Sequence, residues 1–139
     1  MPSATVEVRL SERSYSIEID AGNLAAAGGF AAERTALTHS VIITDSQVEQ
    51  PHAQTVLQSF TEAGIRADLL AVPSGESSKC VTVANQLWER MLELGADRKT
   101  LVTAVGGGVV GDLAGFIAAT YGRGVPFLQI PTTLLAHVP

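Results

Sequence analysis

Residues 101–124 read LVTAVGGGVVGDLAGFIAATYGRG, with seven glycines, one acid (Asp112) and one base (Arg123). A run this apolar is a buried strand, a membrane helix, or a stretch across which a ligand lies. The membrane reading fails on charge and texture. A span needs about 20 mostly apolar residues, and a carboxylate at its centre is expensive in lipid. Here Asp112 falls mid-run and glycines interrupt it repeatedly. The stretch divides at its glycines instead. TLVTAV (100–105) is a short run suited to a buried strand, and VVGDLAGFIAATY (109–121) reads as a helix opening just beyond the turn.

The same alternation extends both ways. SVIIT (40–44) is a β-branched run ending at Asp45, and ADLLAV (67–72) is a second apolar strand. Between them, VEQPHAQTVLQSFTEAG (48–64) places Val48, Val56, Leu57 and Phe60 near helical spacing, with Gly64 to stop the helix. SSKCVTVANQLWERMLELG (77–95) carries Val83, Leu87, Met91 and Leu94 on one helical face. Ser77 or Ser78 can cap its start, and Gly95 ends it. PFLQI (126–130) is a fourth strand. At the N-terminus, TVEVRL (5–10) and YSIEID (15–20) alternate around the polar link SERS, a hairpin signal, and GNLAAAGGF (22–30) allows one or two helical turns. Strands alternating with helices predict a parallel sheet. Their continuous apolar character predicts helices on both faces.

Composition narrows the function. The chain has 139 residues, a length for one domain, with 17% charged residues and a net charge of -5. Globular chains carry roughly 25% charge, so part of this surface is expected to be covered by a ligand or partner. Without a basic cluster there is no nucleic-acid footprint. The single cysteine, Cys80, and three histidines without ligand spacing (His39, His52, His137) give no metal or disulfide signal. No basic segment followed by an apolar one opens the chain; a soluble cytoplasmic protein is the expectation.

In open α/β sheets, ligands bind beyond the carboxyl ends of the strands. The segments to read are therefore TDS (44–46), PSGESSK (73–79), GGGVVGD (106–112) and PTT (131–133). GGGVVG satisfies G-x-G-x-x-G directly after a strand and before a helix, where bare backbone can approach a pyrophosphate. The acid that fingerprint expects about twenty residues on is missing, but Asp45 ends an earlier strand and can accept from ribose hydroxyls. The competing reading of Gly106, Gly107, Gly108 and Gly111 is tight packing. Asp112, placed in the first helical turn, either complements the helix dipole or faces a ligand hydroxyl or amide. Glu76 and Lys79 are either a solvated pair three residues apart or ligand contacts. Thr132 and Thr133 cap a helix or offer hydroxyls to a cofactor. Arg123, the only base after Lys99, pairs with an acid or binds an anion.

PSGESSK, GGGVVGDLAGFIAATYGRGV and PFLQIPTTLLA, with RSYSIEI and VIITDS before them, strongly resemble 3-dehydroquinate synthase in order and interval, over nearly the whole chain. The resemblance implies a Rossmann-like α/β domain over residues 1–139, with an N-terminal β-hairpin and without the family's helical C-terminal domain. It implies a carbon-oxygen lyase of aromatic amino-acid biosynthesis (the shikimate pathway). The family cyclises the sugar-acid phosphate 3-deoxy-D-arabino-heptulosonate 7-phosphate to 3-dehydroquinate with release of phosphate. NAD is the cofactor and Zn or Co the divalent metal, and the full-length form is expected to be a homodimer.

Carried over by position, Asp45 resembles the adenosine-ribose contact. Ser74, Gly75, Glu76 and Lys79 resemble a second NAD loop. Gly106, Gly107, Gly108, Gly111 and Asp112 match the pyrophosphate loop, Thr132 and Thr133 further NAD contacts, and Arg123 a substrate-binding arginine. Pro139 stands where the family continues with an aspartate. The family's metal ligands (one Glu and two His) and most of its substrate lysines are not found in the chain. The expectation is thus an NAD-binding half, inactive alone, frayed after Pro131 and prone to self-association through IPTTLLAHV. Alternatives are another sugar-phosphate cyclase, a metal-dependent polyol dehydrogenase, or a non-catalytic nucleotide-binding interaction module.

Overall fold

The computed structural model of the chain describes residues 4–8, 15–19, 23–34 and 36–132. Strands β1 (Ala4–Val8) and β2 (Tyr15–Ile19) pair antiparallel, Val6 opposite Ile17, as a separate two-stranded sheet. The rest alternates as expected: α1 (Ala27–Arg34), β3 (His39–Asp45), α2 (Gln54–Glu62), β4 (Arg66–Val72), α3 (Val81–Glu93), β5 (Thr100–Gly106), α4 (Gly108–Thr120) and β6 (Phe127–Pro131). Residues 101–120 are thus a strand and a helix parted at Gly107, and among the described residues no helix is long and apolar enough to cross a membrane. The link SERS, Thr133, His137 and the apolar run to Val138 lie outside the described residues.

The four strands β3 to β6 form one parallel sheet in the order β4-β3-β5-β6. Side chains alternate across a strand, so each face receives its own core. Val41, Ile43, Val102 and Ala104 meet Ala84, Leu87 and Met91 of α3 and Val110, Ala114 and Ile117 of α4. Ile42, Leu101 and Val105 meet Ala27 and Ala31 of α1 and Val56 and Phe60 of α2. Buried hydroxyls in the sheet are paired: Ser40 Oγ with Thr103 Oγ1 at 2.9 Å, and Thr44 Oγ1 donating to the Val105 carbonyl at 2.8 Å. At the opposite, N-terminal edge, buried His39 meets Asp68 at 2.7 Å, and Arg66 meets the same carboxylate oxygen at 3.2 Å.

Three local expectations are corrected. The helix expected from Val48 starts at Gln54. Val48 instead belongs to the turn after β3, and Gln50 is extended (φ -118°, ψ 130°). The cause is Pro51, whose ring drives the residue before it out of the helical region. Neither Ser77 nor Ser78 caps α3. That helix starts one turn later behind Cys80, with no side-chain cap, while Ser78 is buried and donates its hydroxyl to the Pro73 carbonyl. Asp112 is the fifth residue of α4, past its first turn, where the influence of the helix dipole fades. The glycine stops hold: Gly64 and Gly95 take φ of 80° and 76°, the left-handed conformation that ends a helix.

Tyr121, just after α4, donates its hydroxyl to the Ala96 carbonyl at 2.8 Å. Burial, and secondarily Asp97, hold its phenol above the ordinary value. A raised folded-state value means that the folded chain keeps this proton longer than the unfolded chain does. The contribution is complete below about pH 10 and is lost as pH rises through the folded value. The urea midpoint of the native chain should therefore fall more steeply between about pH 9 and 11 than that of Tyr121→Phe. Parallel curves for the two proteins would contradict this.

Candidate functional site

The chain passes from β3 to β4 on one side, then crosses to β5 on the other. The carboxyl ends of β3 and β5 therefore flank a crevice where the winding direction reverses, the place open α/β sheets use for ligands. Asp45 ends β3 and Gly106 ends β5.

Asp45 is half-buried, and its Oδ1 accepts from the backbone N–H groups of Gln47 (2.8 Å) and Val48 (3.0 Å). Those bonds fix the carboxylate over the strand end. Oδ2 accepts no hydrogen bond among the described residues. The next loop folds against this turn. Ser46 N donates to the Val72 carbonyl at 3.0 Å, and the Ser46 and Ser74 hydroxyls lie 3.3 Å apart. Gly75 takes φ 101°, a turn conformation closed to most other residues. Glu76 projects outward. Lys79 Nζ lies 3.6 Å from Glu76 Oε2 and 3.1 Å from Asp112 Oδ2. These partners, first Asp112 by hydrogen bond and then Glu76 by charge, raise the Lys79 ammonium above its ordinary value.

The glycine motif divides by role. A Cβ at Gly106 would come within 2.9 Å of Val110, one helical turn on. A Cβ at Gly111 would meet the tip of Gln129 at 2.8 Å. These two glycines let α4 lie close to the strands. Gly108 differs: a Cβ there would meet nothing within 4 Å. Gly107 precedes it as the helix N-cap, extended and without a side-chain cap. Among the described residues, no side chain caps the first N–H groups of α4 at the crevice, an arrangement that suits an anion. Thr132 N donates to the Gly106 carbonyl at 2.9 Å, which sets Thr132 beside the turn; Thr133 lies outside the described residues.

Asp45, the 74–79 loop, Gly106–Gly108, Asp112 and Thr132 therefore gather at one end of the sheet. Arg123 does not join them. It sits in the exposed link from α4 to β6, at the other end, where Pro126 O accepts from Val102 N at 2.9 Å. Sequence reasoning missed two features. One is the Lys79–Asp112 pair, which joins residues 33 apart. The other is a groove of about 310 Å³ between α3 and α4, floored by Val81, Ala84, Trp88, Leu113 and Phe116, with Lys79 and Asp112 at its end. Its signal was present: Val81, Ala84 and Trp88 form a second apolar stripe on α3, beside the core stripe. Trp88 and Phe116 meet there, ring centres 5.9 Å apart. Among the described residues, no three His, Cys, Asp or Glu side chains gather where they could hold a metal ion.

Parallel strands, helices on both faces and glycine-rich loops at a switch point define the class of doubly wound α/β ligand-binding domains. The 3-dehydroquinate synthase N-terminal family matches residues 69–139, and the chain belongs to it. It is 46% identical over 143 residues to the 3-dehydroquinate synthase of Rhodopirellula baltica, covering 99% of this chain and 38% of that protein. It is 45% identical over 134 residues to that of Desulforamulus reducens, covering 96% of this chain and 37% of that protein. The chain thus spans well under half the length of these relatives. Among solved structures it resembles 2-deoxy-scyllo-inosose synthase complexed with carbaglucose-6-phosphate, NAD+ and Co2+, with a TM-score of 0.87 and 27% identity, covering 96% of this chain and 36% of the other.

Proposed function

We propose that the chain is the dinucleotide-binding part of a 3-dehydroquinate synthase. The observation that carries the reading is the N-terminal turn of α4, uncapped by any side chain among the described residues and open at Gly108, across the crevice from Asp45. In this reading the NAD pyrophosphate lies on the Gly107–Gly108 turn, where backbone N–H groups and the helix dipole favour its charge. Asp45 Oδ2 accepts from the adenosine ribose, held in place by the two N–H bonds to Oδ1. Ser74, Gly75, Glu76 and Lys79 wall the crevice on the β4 side, and Thr132 walls it beside β6. Asp112, one turn into α4, faces the nicotinamide end.

NAD, when bound, supplies reversible oxidation of a substrate hydroxyl, which acidifies the neighbouring C–H so that phosphate can leave. The residues of this chain bind and orient the dinucleotide. The described residues offer no ligand set for a metal, so no step is assigned to one, and we expect no turnover from the 139 residues alone. The substrate is a sugar-acid phosphate; Arg123, at the opposite end of the sheet from the glycine turn, is too far away to touch a substrate in this crevice, and no role there is assigned to it. The higher identity to 3-dehydroquinate synthases than to the inosose synthase favours this substrate class over other sugar-phosphate cyclases.

Asp45→Asn separates the two tasks of that side chain. Its amide oxygen can still accept from Gln47 and Val48, so the urea midpoint should stay within error, while NAD affinity falls about tenfold on losing a charge-assisted bond. Calorimetric titration of the purified chain with NAD measures it. Unchanged affinity would remove Asp45 from the site.

A further inference from the structure

Three fully buried hydroxyls, those of Ser40, Thr44 and Thr103, lie along the seam between β3 and β5. By strand alternation they share the face that packs on α1 and α2, with Ile42, Leu101 and Val105. Ser40 Oγ and Thr103 Oγ1 pair at 2.9 Å toward the amino end of the seam. Thr44 stands four residues further along β3, about 13 Å on. It lies opposite Val105 and donates its hydroxyl to that residue's carbonyl at 2.8 Å. This tie falls one residue before Asp45 and one before Gly106, the two positions that flank the crevice. Packing does not call for the hydroxyl. Valine would fill the same space and suits a strand at least as well, while a hydroxyl in an apolar layer is costly unless it is bonded. The turn after β3 is held toward β4 by Ser46 N on the Val72 carbonyl. Thr44 adds a side-chain tie toward β5.

We infer that Thr44 is a positioning residue: through its bond to the Val105 carbonyl it fixes the distance between the Asp45 carboxylate and the Gly106–Gly108 turn, and so matches the crevice to the dinucleotide. This rests on the dinucleotide reading above. The ribose contact and the pyrophosphate turn sit on different strands, so one ligand can engage both only when the strand ends keep a set separation. The Ser40–Thr103 pair has the same chemistry but lies away from the strand ends, and serves as the internal control.

The test is calorimetric titration of the 139-residue chain and its variants with NAD, beside their unfolding in urea. Thr44→Val keeps the shape and removes the bond; its Kd for NAD should rise about fivefold. Thr44→Ser keeps the donor and should stay within about twofold of the native chain. Ser40→Ala combined with Thr103→Val removes the other pair; its urea midpoint should fall at least as far as that of Thr44→Val, by about 0.5 M, with Kd within about twofold of native. Native affinity in Thr44→Val, an equal loss in the Ser40–Thr103 double variant, or a Thr44→Ser as weak as Thr44→Val would each overturn the inference and leave the hydroxyl a purely structural group. If the native chain bound no NAD, the dinucleotide reading would fail by itself. The tie would then be judged without ligand, where the amides of Asp45 and Gly107 should exchange about three- to fivefold faster in Thr44→Val and at the native rate in the double variant. Native rates in Thr44→Val would overturn it.

Discussion

Gly108→Val should abolish measurable NAD binding while leaving the fold intact. A side chain at this position meets no protein atom within 4 Å, so the chain loses no packing, and Val is no worse than Gly inside a helix. The new methyl groups would occupy the space over the first turn of α4 into which we place the pyrophosphate. A rise in Kd of about 100-fold, near 2.7 kcal/mol, is expected, with a urea midpoint equal to or above that of the native chain. Gly106→Ala is the counterpart. Its Cβ would come within 2.9 Å of Val110, so that variant should lose stability first and affinity as a consequence. Native affinity in Gly108→Val would mean that the pyrophosphate does not lie on this turn.

The largest stability effect should come from a glycine far from the site. Gly28 lies in α1, where a Cβ would fall 2.3 Å from the Ser59 carbonyl oxygen and 2.9 Å from Phe60 Cα. These are backbone atoms and cannot swing aside. The contact is also polar: Ser59 Oγ accepts from Gly28 N at 2.8 Å and donates to the Ala25 carbonyl at 2.9 Å, clipping α1 onto α2. Gly28→Ala should push the helices apart, at a cost of about 2–3 kcal/mol, and lower the urea midpoint by about 1 M. Its neighbour provides the control. A Cβ at Gly29 meets nothing within 4 Å, so Gly29→Ala should stabilise by about 0.5–1 kcal/mol through helix propensity alone. Equal effects at the two positions would show that α1 and α2 are not in close contact in solution.

The centre of the sheet was legible in the sequence because β3 and β5 are buried on both faces. SVIIT and TLVTAV need no partner to be read as strands, and their carboxyl ends locate the loops that matter. Gly64 and Gly95 were legible as stops because the left-handed conformation is a local demand of the chain. The glycine motif was only half legible. That Gly106 packs against Val110 is a matter of one helical turn. That Gly111 faces Gln129 depends on β6 lying under α4, which no spacing reveals. Ser78 was misassigned because its hydroxyl has two local partners to choose from, a helix N–H from which it could accept and the Pro73 carbonyl to which it donates, and the short loop presents the carbonyl. The Lys79–Asp112 pair could not be read at all: it arises from the strand order, which sets the β4 loop facing a helix that follows β5. The aromatic pair Trp88–Phe116 belongs to the same kind, since each residue alone reads as an ordinary helix position.

The central claim is that NAD lies across the β3–β5 crevice. It is tested most directly by titrating the isotopically labelled chain with NAD and following its backbone amides by NMR. The account predicts that the largest shifts appear at Gly107–Val110, with smaller ones at Asp45–Gln47 and Ser74–Lys79, and that Gly108→Val removes them together. Shifts centred instead on the α3–α4 groove around Val81, Trp88 and Phe116, or no shifts at millimolar NAD, would contradict it.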